Sequence, residues 1–192
     1  MTRSVCLFCS SADGLPAQAR ELAAQFGAAC AGRSLRLVYG GSGRGLMGIA
    51  ARAAATAGGE VLGIMPRRLV RPERAATDVG TFEVVETLAE RKQRMAECSD
   101  LFVALPGGIG TLDELLEMLT MNDLGLQDKP VILCASDDFW RPFVTMIERF
   151  RAYGVLRESV GRSLRVAGSV GEAMDVIDAC LPPAAAATEE SK

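Results

Sequence analysis

Ser99-Asp100-Leu101-Phe102-Val103-Ala104-Leu105-Pro106-Gly107-Gly108-Ile109-Gly110-Thr111-Leu112-Asp113-Glu114 decides how this chain is read. Leu101 to Leu105 is an apolar run of strand length, and Pro106, which has no N–H to donate, ends it. Gly107, Gly108 and Gly110 then form a loop free to take backbone angles closed to residues with a Cβ. Thr111 is a good N-cap, and Glu114 three residues later completes a capping box ahead of Leu115, Leu116, Met118 and Leu119. The order is strand, glycine loop, helix N-terminus. Free amides and the positive end of the helix dipole meet at such a junction, which suits it to hold a phosphate.

On either side of this stretch strands alternate with helices. Val5 to Cys9, Leu35 to Tyr39, Glu60 to Met65, Phe82 to Val85, Val131 to Cys134 and Leu164 to Ala167 read as strands. Helices are expected from Pro16 to Ala31, through the alanine-rich stretch to Ala57, and over Thr87–Cys98, Phe139–Tyr153 and Val170–Leu181. The pattern predicts one α/β domain over residues 1–181, a parallel sheet with helices on both faces. Ligands of such sheets bind at the carboxyl ends of the strands, near the point where strand order reverses. Residues 67–80 carry Arg67, Arg68, Arg71 and Arg74 without a clear period and are expected to be a mobile loop. It either closes over the site with an arginine on phosphate or stays a solvated basic loop. Residues 182–192, rich in Pro, Ala and polar groups, are expected to be a disordered tail.

Composition narrows the function classes. With 192 residues, 49% hydrophobic and 23% charged, the chain is long and apolar enough for a core. A net charge of −3 argues against nucleic acid or an anionic membrane as partner. No signal peptide or membrane-length apolar run is evident. Six cysteines fall mostly inside predicted elements, as buried thiols of a reduced cytoplasm do. Cys6 and Cys9 spell C-x-x-C, but that spacing on a strand sends them to opposite faces. Histidine is absent, which removes the commonest general base and metal ligand. No metal and no cofactor are expected.

Three further constellations bear on chemistry. Gly43-Arg44-Gly45-Leu46-Met47-Gly48 matches G-x-G-x-x-G between a strand and a helix. A dinucleotide fold would want an acid at the end of the next strand, yet that strand ends Ile64-Met65-Pro66-Arg67, so NAD is disfavoured. Leu88, Arg91, Met95 and Cys98 share one helix face by their 3-4-3 spacing, three of them suited to a core. An arginine among them is in a structural ion pair, packs its stem while its head reaches solvent, or faces an anionic ligand. Glu114 likewise has two readings. It completes the capping box, or it stands one turn inside the phosphate-binding helix, held ionised by the dipole as a base or a stabiliser of positive charge. Asp113 and Glu117 are expected to be solvated.

Pro106-Gly107-Gly108-Ile109-Gly110-Thr111-Leu112-Asp113-Glu114 resembles the P-G-G-x-G-T-x-x-E motif of the Lonely Guy (LOG) family. Glu90-Arg91-Lys92 with Met95 is similar to that family's E-R-K segment. Tyr39 to Gly48 is similar to its Y-G-G-G-x-x-G-L-M-G loop, with Ser42 in place of a glycine. Ala89 stands where a histidine is common and Met121 where a tryptophan is. The resemblance runs from about Val5 to Ala179. It implies a Rossmann-like, doubly wound fold and a homodimer with active sites at its edge. The implied reaction is hydrolysis of the N-glycosidic bond of cytokinin riboside 5′-monophosphates, with AMP as a further substrate.

By position, the resemblance makes Arg91 and Glu114 the catalytic pair. It puts Gly107, Gly108, Gly110 and Thr111 on the phosphate and lets Lys92 and Gly41 line the nucleotide. Two other functions stay open: a non-catalytic nucleotide or cofactor carrier, and a general purine nucleotide nucleosidase. A lysine decarboxylase label, often attached to this family, would need pyridoxal phosphate on a lysine, and Lys92, Lys129 and Lys192 are poorly placed for it. Met95, Met118 and Met121 are flexible apolar candidates for a prenyl pocket.

Overall fold

In the computed structural model, which describes residues 2–181, Val5 and Leu7 point to one side of the first strand, β1 (Ser4–Phe8), while Cys6 and Phe8 point to the other. All four are buried, so this strand has a core on each face. The same holds for β5 (Leu101–Ala104) and β6 (Val131–Cys134), whose residues are all buried. That is the expected composition of a parallel sheet covered on both sides.

With β2 (Arg36–Tyr39), β3 (Val61–Pro66), β4 (Thr81–Val85) and β7 (Leu164–Ala167) they form one seven-stranded sheet of order β4-β3-β2-β1-β5-β6-β7. All neighbours pair in parallel. Helices α1 (Ala17–Gly32), α2 (Gly45–Thr56) and α7 (Val170–Cys180) cover one face. Helices α3 (Leu88–Glu97), α4 (Ile109–Asp123), α5 (Arg141–Ala152) and α6 (Glu158–Ser163) cover the other. On the first face α1 and α2 touch backbone to backbone: a Cβ on Gly27 would lie 2.1 Å from the carbonyl oxygen of Ala50.

The chain steps outward from β1 to β4, then returns to the other side of β1 for β5. Strand order therefore reverses between β1 and β5, and a crevice opens beyond their carboxyl ends. The loops after β1, β2 and β5 all issue into it.

The expected strands and all six expected helices are present, their ends within a residue or two apart from the start of α4 and from Asp138–Trp140, which forms a 3-10 turn before α5. Helix α6 was not expected; six residues with Val160 and Ser163 buried are too short to show a period. Cys9 and Cys6 lie on opposite faces as free thiols. The segment 67–80 departs from the expected mobile loop. It opens with a 3-10 turn at Arg67–Leu69, buries Ala76 and Val79, and pairs antiparallel with the glycine loop through Ser42 and Ala75. The expected tail, residues 182–192, lies outside the described residues.

Candidate active site

Three loops are tied together at the crevice. The amide of Ser10, just past β1, donates to the carbonyl of Pro106 at 3.2 Å. The carbonyl of Ser10 in turn accepts from the amides of Leu46 (2.9 Å) and Met47 (3.3 Å), in the first turn of α2. Gly45 permits this approach. Its φ is +57°, and a Cβ there would stand 2.7 Å from the Ser10 oxygen. The G-x-G-x-x-G loop thus has its helix end satisfied by protein, with the amide of Gly43 bound to the carbonyl of Arg74. It is a packing device rather than an anion site.

The second glycine loop is different. Helix α4 starts at Ile109 with Gly108 as N-cap and no side-chain cap, three residues earlier than the capping box predicts. Thr111 sits inside the first turn, so neither it nor Glu114 acts as a cap. The reason lies at Gly107, where a Cβ would be 2.0 Å from Thr111 Oγ1: the threonine packs back on the loop. The first helical bond runs from Leu112 to Gly108, and the amides of Gly108, Ile109, Gly110 and Thr111 have no backbone acceptor among the described residues. Gly108 and Gly110 face open space. Of the two glycine-rich junctions, this one keeps its amides free for an anion.

Released from capping, Glu114 turns into the interior, its side chain 2% exposed. Arg91, from α3, meets it: a guanidinium Nη2 donates to Glu114 Oε1. Arg91 Nε and Glu114 Oε2 have no partner among the described residues. A buried donor and a buried acceptor left in this way are costly unless a ligand engages them. Burial pushes the Glu114 carboxyl up to about 7, with the Arg91 charge opposing it and Asp113 adding to the rise. This corrects the expectation of a carboxylate held ionised by the helix dipole; desolvation outweighs the dipole once the side chain points inward.

Arg91 Nη1 also lies against Gly40, 3.5 Å from where a Cβ would stand. From there a cleft of about 120 Å³ extends along the loop after β2, lined by Ser11, Gly40, Ser42, Arg44, Met47, Met65, Leu69, Arg74 and Arg91. Gly41, at φ +73°, packs on Phe82 and Met65 beneath it. Lys92 stands apart from this cluster. It bridges to α4 through Asp113, at 3.0 Å, and Glu117, so these two carboxylates are engaged rather than merely solvated.

Three other expectations change. Leu88 is 53% exposed rather than core-facing, since it begins α3. Met95 and Met118 are sealed in the core, and Met121 lines a groove between α3 and α4 instead of the cleft. Met47 and Met65, which the sequence reading passed over, take the cleft positions; no periodic signal marks them. Arg44 and Arg74 were likewise legible only as members of a glycine loop and a basic run.

A switch-point crevice, a strand-to-helix glycine turn with free amides, and a buried Arg–Glu pair beside it define a Rossmann-like protein built to hold a phosphorylated ligand. Residues 47–177 match the family described as possible lysine decarboxylase. The cytokinin riboside 5′-monophosphate phosphoribohydrolase LOG of Oryza sativa subsp. japonica is 37% identical over 180 residues, covering 94% of this chain and 74% of the relative. The Rhodococcoides fascians cytokinin riboside 5′-monophosphate phosphoribohydrolase is 41% identical over 155 residues, 80% of this chain and 78% of the relative. The chain belongs to the LOG family. Among solved structures, the molybdenum cofactor carrier protein of Chlamydomonas reinhardtii superposes with a TM-score of 0.73 at 22% identity, covering 94% of this chain and 98% of that one. The molybdenum cofactor binding protein of Rippkaea orientalis gives 0.73 at 21% identity, covering 93% and 97%. These two likenesses concern the fold alone.

The family description does not fit a lysine-bound cofactor here. Lys129 Nζ donates to the carbonyls of Ala96 (2.7 Å) and Ser99 (2.8 Å), at the carboxyl end of α3. Lys92 is held between two carboxylates. Neither is a free amine facing the cleft; Lys192 lies outside the described residues.

Proposed function

We propose that this chain hydrolyses the N-glycosidic bond of cytokinin riboside 5′-monophosphates, and of AMP, through Arg91 and Glu114. The observation that carries the reading is the buried Arg91–Glu114 pair, with one unpartnered atom on each side chain, next to the free amides of α4. The amides of Gly108, Ile109, Gly110 and Thr111 hold the 5′-phosphate. This remote grip positions the ribose over Glu114. Bond breaking leaves positive charge on the sugar, as in other glycoside cleavages, and Glu114 stabilises it while drawing a proton from the water that attacks C1′. A carboxyl poised at about 7 is a stronger base than an ordinary one and is still ionised in good part at neutral pH. The water's hydroxyl ends on C1′ and its proton, taken first by Glu114, ends on the departing base. Arg91 orients Glu114 and faces the ligand through Nε.

A carrier would need the free amides but not a buried carboxylate raised in this way, which favours the enzyme. Chromatography of AMP and isopentenyl-AMP incubations tests the assignment. Free base from either supports it; nucleotide bound but never cleaved would leave a carrier. The ratio of the two rates separates a cytokinin enzyme from a general purine nucleotide nucleosidase.

We also read the protein as a cytoplasmic homodimer. Six free thiols, four of them buried, suit a reduced compartment. Leu88 on α3 and Leu116 on α4 expose apolar surface beside the Met121 groove, and light scattering at two protein concentrations tests the dimer.

A further inference from the structure

The pinned segment 67–80 does more than cover apolar surface. The amide of Gly43 donates to the Arg74 carbonyl at 2.6 Å, and the amide of Ala76 donates to the Gly41 carbonyl at 3.0 Å. With the Ser42–Ala75 bridge between them, these bonds fix the backbone of Arg74 at the cleft rim. Arg44 is paired with Asp13 and Arg91 with Glu114. Arg74 makes no ion pair or side-chain hydrogen bond among the described residues, yet it lines the same cleft as Arg91.

The order of groups along the crevice limits what Arg74 can meet. The free amides of α4 lie at one end, and Glu114, one turn into α4, with Arg91 comes next. Gly40 touches Arg91, and beyond it stand Met47, Met65 and Leu69 with Arg74 at the rim. In a nucleoside 5′-monophosphate the phosphate and the base leave the ribose from opposite ends. With phosphate on α4 and C1′ at Glu114, the base falls between the two methionines and Arg74.

We propose that this slot is the base subsite and that Arg74 is a specificity-determining residue, its guanidinium lying on the face of a purine. The apolar side chains take the other face, and a planar cation stacks on an aromatic ring in a way that an ammonium does not. The larger face of a purine is favoured over that of a pyrimidine. This deepens the proposed reaction and rests on its placement of phosphate and ribose.

Binding, read by calorimetry without turnover, tests it independently of catalysis. Wild type, Arg74→Ala and Arg74→Lys are titrated with AMP, CMP and ribose 5-phosphate, using the Glu114→Gln background wherever AMP is consumed. Arg74→Ala is expected to weaken AMP roughly tenfold, to narrow the AMP-over-CMP preference, and to leave ribose 5-phosphate unchanged. Arg74→Lys is expected to behave like the alanine variant. Equal weakening of AMP and ribose 5-phosphate would place Arg74 on phosphate and overturn the proposal. Unchanged AMP binding, or full recovery with lysine, would overturn it as well. Failure of wild type to release any base would remove the hydrolase reading, while the contrast between AMP and ribose 5-phosphate would still decide the subsite.

Discussion

Arg91 and Glu114, 23 residues apart in the chain, meet between α3 and α4 through a single Nη2–Oε1 contact, and buried Arg91 Nε and Glu114 Oε2 have no hydrogen-bond partner among the described residues. A structural pair would close its hydrogen bonds, commonly as a two-pronged fork. This pair stays half open, which supports the proposed catalytic role of both residues. Glu114→Gln removes the base, and Arg91→Ala removes the group that orients it. Each is expected to lower kcat for base release by at least about a thousandfold, with the circular dichroism spectrum and cooperative melting retained. Either variant working at near wild-type rate would end the assignment.

In the proposed reaction, burial sets the pH at which Glu114 serves as base. Glu114 must be ionised to accept a proton, and its carboxyl is raised from 4.5 to about 7. Activity, as kcat/KM for AMP, is therefore expected to climb about tenfold per pH unit up to roughly neutrality and then level off. Arg91 opposes the rise, so the residual activity of Arg91→Lys, with its guanidinium replaced, should show the same limb displaced in pH. A rate that climbs as the solution is made acid, measured over pH 5 to 9, would assign the proton-donating role instead.

The sequence made the sheet legible because its signals are local. Apolar runs of four or five residues, stopped by Pro106 or followed by glycine, need no tertiary knowledge to read. Arg91 was legible too, since a guanidinium on an otherwise apolar face has to find an anion. What escaped was decided by contacts across the chain. Thr111 has every local mark of an N-cap, but its packing against Gly107 moves the start of α4 to Ile109 and sends Glu114 inward. Residues 67–80 lack periodicity, yet a bridge from Ala75 to Ser42 anchors them and brings Arg74 to the cleft. Lys92 neighbours Arg91 in sequence, but the helix turn carries it to Asp113 and Glu117 instead.

The same carboxyl links stability to pH. An unfolded glutamate loses its proton near 4.5, whereas the folded protein keeps that of Glu114 to about 7. Between these values the folded state binds the extra proton, so the contribution of Glu114 to stability falls as pH rises, by up to about 3 kcal/mol, and is constant above the window. Glu114→Gln has no proton to lose. Its stability relative to wild type is expected to be near parity at pH 4.5 and to improve steadily toward pH 8, measured by urea unfolding. A difference independent of pH, or one that favours wild type more as pH rises, would show that the carboxylate is stabilised where it lies.

Glycines of the α4 junction separate packing from binding. Gly107→Ala drives a Cβ to 2.0 Å from Thr111 Oγ1 and is expected to destabilise the fold by about 1–3 kcal/mol. At Gly108 and Gly110 the same methyl meets nothing within 4 Å, and neither residue has a positive φ. Gly110→Ala, inside the first turn of the helix, is expected to keep or slightly raise the melting temperature. Both Gly108→Ala and Gly110→Ala put a methyl into the space where an anion would approach the amides, and ribose 5-phosphate should bind each more weakly by roughly tenfold or more. Calorimetry with ribose 5-phosphate beside thermal melts resolves the two effects. Undiminished binding in both variants would count against the start of α4 as the phosphate site, since both methyls enter the open space around its free amides.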